Sequence, residues 1–337
     1  MDLNILWFVL VAVLYTGFFV LEGFDFGVGM LMPFLSKDDT ERRAVINTIG
    51  PHWDANEVWL MTAGGATFAA FPHWYATLFS GFYVALFLLV IALIFRGVAF
   101  EFRSKDDNPT WRKFWDWTIS ISSFLAALLF GVAFANLTRG LPIDASMAYT
   151  GGFWYLLNPF GLMGGLFAVV VSLLHGSIFL SLKTTEGLLD RVTAVTKKLW
   201  IAAAVVFVGS LVVSFFALDF SAELGILTIV PFLALAAILL AGYFIGKKQF
   251  GWAFGMTAST ILFSVVTHFL YLYPNVMFST TNPDWSLTIY NASSSDYTLT
   301  VMSWVALIFV PVVLAYQAWT YYTFRKRISA DPQELEY

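Results

Sequence analysis

Long, continuous apolar runs alternate with short polar segments along the whole chain. Each run is long enough for an α-helix to cross a hydrocarbon core of about 30 Å at roughly 1.5 Å per residue. The runs cover residues 3–33, 51–72, 76–101, 117–137, 154–182, 198–218, 225–246, 251–273 and 299–324. A transmembrane barrel would alternate apolar and polar residues instead. The pattern predicts an all-α polytopic membrane protein, one integral membrane domain over residues 1–337 with nine transmembrane helices. The longer runs are expected to tilt or to extend past the lipid.

Basic residues set the orientation. Lys37, Arg42 and Arg43 follow the first run. Arg96, Arg103, Lys105, Arg112 and Lys113 surround the turn after the third. Lys183, Arg191, Lys197 and Lys198 follow the fifth, Lys247 and Lys248 the seventh, and Arg325, Lys326 and Arg327 the ninth. Of the eighteen Lys and Arg residues, only Arg139 falls on the other side of this alternation. Positive loops stay inside, so the N-terminus is expected outside and the C-terminus in the cytoplasm. The opening Met-Asp-Leu-Asn carries no basic residue, so the first helix is expected to persist rather than to be removed as a signal peptide. Residues 274–297 are expected to form an irregular outside loop.

Composition agrees with this class. Hydrophobic residues make up 59% of the chain and charged residues 12%, against about 25% charged in soluble domains; mean hydropathy is +0.76. The absence of cysteine excludes disulfides, iron–sulfur clusters and cysteine-ligated zinc. Gly64-Gly65 sits inside an apolar run without the strand and lysine of a phosphate loop, and no nucleic-acid partner is expected. Gly23/Gly27, Gly161/Gly165 and Gly251/Gly255 are spaced for close helix approach.

The candidate chemistry lies in acids that the apolar runs enclose. A carboxylate at a helix centre costs roughly 2.5–3.5 kcal/mol on insertion scales. Glu22 and Asp25 lie in the first run, Asp54 and Glu57 in the first turns of the second, and Glu101 at the end of the third. Within each of the first two pairs the spacing of three residues gives a shared helical face. The orientation puts all five toward the cytoplasm. They can be read as a proton path from that side. They can also be read as an ion-pair and hydrogen-bond network with Arg96, Asn47 and Asn56 that holds the helices in register. His52 and Trp53, beside them, are candidates for a quinone contact or a structural contact. His175 and His268 lie inside runs, where a haem ligand would sit; hydrogen bonding to a neighbouring helix is the expectation for both. No histidine spacing suggests a metal site. Trp7, Trp74, Trp111, Trp115, Trp117 and Trp154 fall near run ends, as interfacial belts do.

Several stretches resemble subunit II of the bacterial cytochrome bd quinol oxidases. They include Glu22-Gly-Phe-Asp-Phe-Gly-Val-Gly, Asn47 to Trp59, Thr62-Ala-Gly-Gly-Ala, Ser80-Gly-Phe-Tyr-Val-Ala, Phe102-Arg-Ser-Lys and Trp115-Asp-Trp. Gly131-Val-Ala-Phe-Ala-Asn, Tyr149-Thr-Gly-Gly-Phe and Leu157-Asn-Pro-Phe-Gly-Leu extend the likeness, which is dense in the first half and looser in the second. The resemblance implies a multi-pass protein of the bacterial cell membrane, paired with a haem-bearing subunit I. Two b-type haems, one haem d and the quinol site are then expected in subunit I, which reduces dioxygen to water. A small single-span accessory subunit and membrane lipid are further expected partners. No haem ligand is expected in this chain. The resemblance also implies path roles for Asp25, Asp54 and Glu101, the last a Glu where some members have Asp. A proton-coupled secondary transporter and a purely structural membrane scaffold are the alternatives that the residues leave open.

Overall fold

The computed structural model describes residues 2–218, 226–329 and 335. Twelve α-helices are present among them: α1 (Leu3–Leu35), α2 (Asp39–Ile49), α3 (Trp53–Ala70), α4 (Pro72–Gly81), α5 (Tyr83–Phe102), α6 (Pro109–Arg139), α7 (Gly152–Tyr155), α8 (Pro159–Lys183), α9 (Glu186–Ala217), α10 (Ile226–Gly246), α11 (Phe250–Leu272) and α12 (Asp296–Thr323). Residue 225, the expected start of the seventh run, lies outside the described residues.

Local chemistry sets many of the helix starts. Asp2, Asp38, Asn108, Asn158 and Ser295 each accept a backbone N–H of the helix that follows, supplying partners to amides that have none within the helix. Pro72, Pro109 and Pro159 occupy first-turn positions, where a missing N–H costs nothing. α3 stops at Phe71, the residue before Pro72, because a residue preceding proline disfavours the helical conformation.

Among the described residues, eight helices are long and apolar enough to cross a membrane. α3 is not among them, because its 18 residues include Asp54, Asn56 and Glu57. The run 76–101 is not one helix: it breaks at Phe82, where Gly81 lets the Tyr149 ring lie against the backbone. α6 and α9 begin well before residues 117 and 198, since a helix can continue into water where hydropathy no longer marks it. α2 falls in the expected loop 34–50 and is too short to register as a span. In the loop 274–297, β1 (Asn275–Met277) pairs antiparallel with β2 (Leu287–Thr288), and Leu141 exchanges backbone hydrogen bonds with Phe278 and Thr280.

α1 is the central helix, packed against α3, α6, α8 and α11. Glycine permits its closest approach. A Cβ on Gly27 would lie 1.9 Å from the Ser172 carbonyl oxygen, and one on Gly176 would lie 2.6 Å from the Gly27 carbonyl carbon. Gly131 and Gly164 bring α6 against α8 in the same way. Among the described residues nothing lies within 4 Å of a Cβ on Gly251 or Gly255, so this third small-residue pair makes no close helix approach there. Trp7, Trp74 and Trp115, expected in interfacial belts, are buried within the chain: Trp7 and Trp74 belong to the core around Phe71 and Leu141, Trp115 to that around Phe24 and Ile46. α12 lies outermost, touching α1 and α3.

Candidate functional site

The site forms where α1, α3, α5 and α12 meet. Glu22 and Asp25 lie on one face of α1, and both are fully buried. Arg96 reaches them from α5, also fully buried. Its Nη1 lies 2.6 Å from Glu22 Oε1 and 2.6 Å from Glu57 Oε1 of α3. The Phe26 and Phe100 rings lie 5.1 and 5.2 Å from the guanidinium carbon. Their faces attract the cation and keep water away from it. A planar, weakly hydrated guanidinium suits such a position better than an ammonium.

Three carboxyls thus share one cation, since Asp25 interacts electrostatically with Arg96, Glu22 and Glu57. Asn56 of α3 donates from Nδ2 to Asp25 Oδ2 at 2.6 Å. Tyr321 of α12 donates its hydroxyl to Asn56 Oδ1 at 2.9 Å. Gln317, one turn before, donates Nε2 to the same oxygen at 3.4 Å and accepts Trp59 Nε1 on its Oε1 at 2.9 Å.

The expected five acids separate into two groups. Glu22, Asp25 and Glu57 converge on Arg96, whereas Asp54 and Glu101 are exposed on the surface of the chain. Asp54 remains within electrostatic range of Glu57. Asn56 belongs to the cluster, while Asn47 donates to Arg43 O of its own helix. His52 is buried and stacks parallel to Tyr321, with ring centroids 4.3 Å apart. Trp53 packs on Phe100 and over Gly97. Trp59, Gln317 and Tyr321 were not anticipated; Gln317, a carboxamide inside the run 299–324, is the signal that could have pointed to them.

His175 holds Thr257 Oγ1 at 2.7 Å through Nδ1 and Val20 O at 3.2 Å through Nε2, so neither ring nitrogen is open to an iron. His268 Nδ1 pairs with Thr138 Oγ1 at 2.6 Å. Among the described residues no three His, Cys, Asp or Glu side chains are grouped to hold a metal ion. The donor set of His175 does not fit haem ligation.

A second charged knot lies on the basic side. Arg103 bonds Asp116 through Nε at 2.5 Å and Asp39 through Nη2 at 2.7 Å, and Arg112 bonds Asp39 at 2.8 Å. Partial burial works against the Asp39 carboxylate, but its bond to Arg103 and the charges of Arg103 and Arg112 outweigh this and hold it below the usual carboxylate range.

Comparison with known proteins adds sequence relatives to this geometry. The family described as cytochrome bd terminal oxidase subunit II matches residues 3–324. The chain is 45% identical over 329 residues to the cytochrome bd ubiquinol oxidase subunit 2 of Bacillus subtilis strain 168, covering 97% of each. It is 40% identical over 366 aligned residues to the cytochrome bd-I ubiquinol oxidase subunit 2 of Escherichia coli K12, covering 98% of this chain and 97% of that one. The fold matches a chain of the bd oxidase from Geobacillus thermodenitrificans with a TM-score of 0.79 at 14% identity, over 96% of this chain and 99% of that one.

Proposed function

Because the chain belongs to the cytochrome bd terminal oxidase subunit II family, we propose that it acts as the haem-free subunit II of a quinol:oxygen oxidoreductase, stabilising a haem-bearing subunit I and contributing a cytoplasmic proton-uptake path. It is a subunit of an oxidoreductase complex, and it is a multi-pass protein of the bacterial cytoplasmic membrane. Family membership speaks against the transporter alternative. In the proposed topology α3 is the ninth span, with the N-terminus outside and the C-terminus in the cytoplasm. The haems and quinol oxidation belong to subunit I, and a single-span accessory subunit and lipid complete the assembly.

The observation that carries the proton path is the sharing of Arg96 by Glu22, Asp25 and Glu57. Full ionisation would leave two uncompensated negative charges in a buried site, which hydrocarbon does not tolerate. The cluster therefore retains protons, and it can release and regain them as dioxygen reduction consumes protons. Among the described residues, Arg96 Nε and Arg96 Nη2 are buried with no hydrogen-bond partner, and the Glu22 and Asp25 carboxyls lie next to each other. Buried polar groups of this kind are commonly met by water, which can pass a proton between carboxyls. Asp54 and Glu101, exposed on this chain alone, lie on the proposed cytoplasmic side, where they can gather protons. Exposed apolar side chains on α3, α5 and α12, among them Met61, Phe68, Ile94, Leu307 and Phe309, offer a surface for subunit I.

Proton uptake by the reconstituted complex tests this reading. With a pH dye enclosed in vesicles, turnover should consume protons from the compartment that faces the basic loops. Consumption from the opposite compartment would overturn the path.

A further inference from the structure

Asn56 meets Asp25 with its amide nitrogen rather than its oxygen, and the cause lies on α3 and α12. An indole N–H can donate but not accept. Trp59 therefore pins the carbonyl of Gln317 toward itself, with Nε1 to Oε1 at 2.9 Å. The Gln317 amide nitrogen is left facing Asn56 Oδ1 at 3.4 Å. Tyr321 donates to that oxygen as well, at 2.9 Å. With its oxygen held by two donors, Asn56 turns Nδ2 to Asp25 Oδ2 at 2.6 Å. A reversed Asn56 would oppose two amide nitrogens and would set its carbonyl oxygen against the Asp25 carboxylate. Amide orientations follow from such networks, and here one donor-only group sets the direction of the whole chain.

We infer that Trp59 and Gln317 are positioning residues that fix the polarity of this amide chain and so favour the carboxylate form of Asp25 over its acid form. A hydrogen bond donated to a carboxylate stabilises the charged form; a protonated Asp25 would instead seek an acceptor, which Asn56 in this orientation does not offer. The inference deepens the proton-uptake reading and rests on it for its purpose. The other groups acting on Asp25 are Glu22 of its own helix, Glu57 of α3, Arg96 of α5 and Tyr321 of α12. His175 of α8 faces Thr257 and Val20 O, and Asp116 of α6 is held by Arg103. Among the described residues none of these side chains is hydrogen-bonded to Trp59 or Gln317 directly.

Infrared titration of the purified complex tests the inference without relying on turnover. The carboxylic-acid C=O band absent from Asp25→Asn reports Asp25. In Gln317→Leu and Trp59→Phe its titration midpoint should move to higher pH by about one unit, the scale of one weakened hydrogen bond to a charge. Phe keeps a ring against Gly17, on which the Trp59 ring packs, so Trp59→Phe carries the test if Gln317→Leu does not assemble. An unchanged midpoint in the assembled variants overturns the inference. A shifted midpoint together with wild-type oxygen consumption in Asp25→Asn would uphold the amide chain while removing the uptake reading.

Discussion

Arg96 places one guanidinium nitrogen 2.6 Å from the Glu22 carboxylate, and neither side chain is exposed. This contact binds α5 to α1 at the depth where the cluster sits, and Glu57 joins it from α3. Removing the cation leaves three carboxyls without compensation. Arg96→Gln should lower stability by about 3–5 kcal/mol, the usual cost of breaking a buried pair. The yield of assembled complex after mild solubilisation checks this. Glu22→Gln in the Arg96→Gln background should recover part of the loss, because fewer charges remain unpaired.

Close backbone contact makes a second prediction. Gly27→Ala drives a methyl group into the Ser172 carbonyl, whereas Gly255→Ala meets nothing within 4 Å. The first should cost about 1–3 kcal/mol through overpacking, and the second should be near neutral. Thermal melting of the two variants, compared with the parent complex, decides it.

The Asp39 knot should respond to acid. The Asp39 carboxylate is held below its ordinary range in the folded protein, near 3.9 when unfolded. Its contribution is therefore present above the unfolded value and is lost as pH falls through the lower folded value. Asp39→Asn should melt earlier than the parent at neutral pH, and the gap should close toward pH values of about 3. The effect should be small, because the carboxylate is partly solvated. A gap that persists unchanged in acid would show that Asp39 acts by packing alone.

Hydropathy made the long helices legible because each apolar run has little else it can become in lipid. It did not reveal α2, nor the first turns of α6 and α9, because those stretches are polar or short. Acid spacing put Glu22 and Asp25 on one face of α1, since residues three apart on a helix share a face, and Glu57 meets them at Arg96. It could not separate them from Asp54 and Glu101, whose exposure depends on how α3 and α5 rotate about their axes. Trp59, Gln317 and Tyr321 were hidden for a further reason: their role exists only when α12, distant in sequence, lies against α3.

Membrane orientation can be read chemically, as the chain has no native cysteine. Thr281→Cys and Ser104→Cys both place the thiol at exposed positions. An impermeant reagent added to intact cells should label Thr281→Cys and leave Ser104→Cys unmodified. The opposite pattern would reverse the topology and put the acid cluster on the outer side.

The central claim is that the buried Asp25 and the exposed Asp54 pass protons and do not merely hold helices together. Asn nearly matches Asp in size but cannot release and regain a proton. The measurement is quinol-driven oxygen consumption per haem in purified complexes carrying Asp25→Asn, Asp54→Asn or both. The account predicts near-normal assembly and haem content, with turnover per haem reduced by about tenfold or more, within the usual range for loss of a proton-transfer group. Poor assembly with normal turnover per haem in every variant would contradict it.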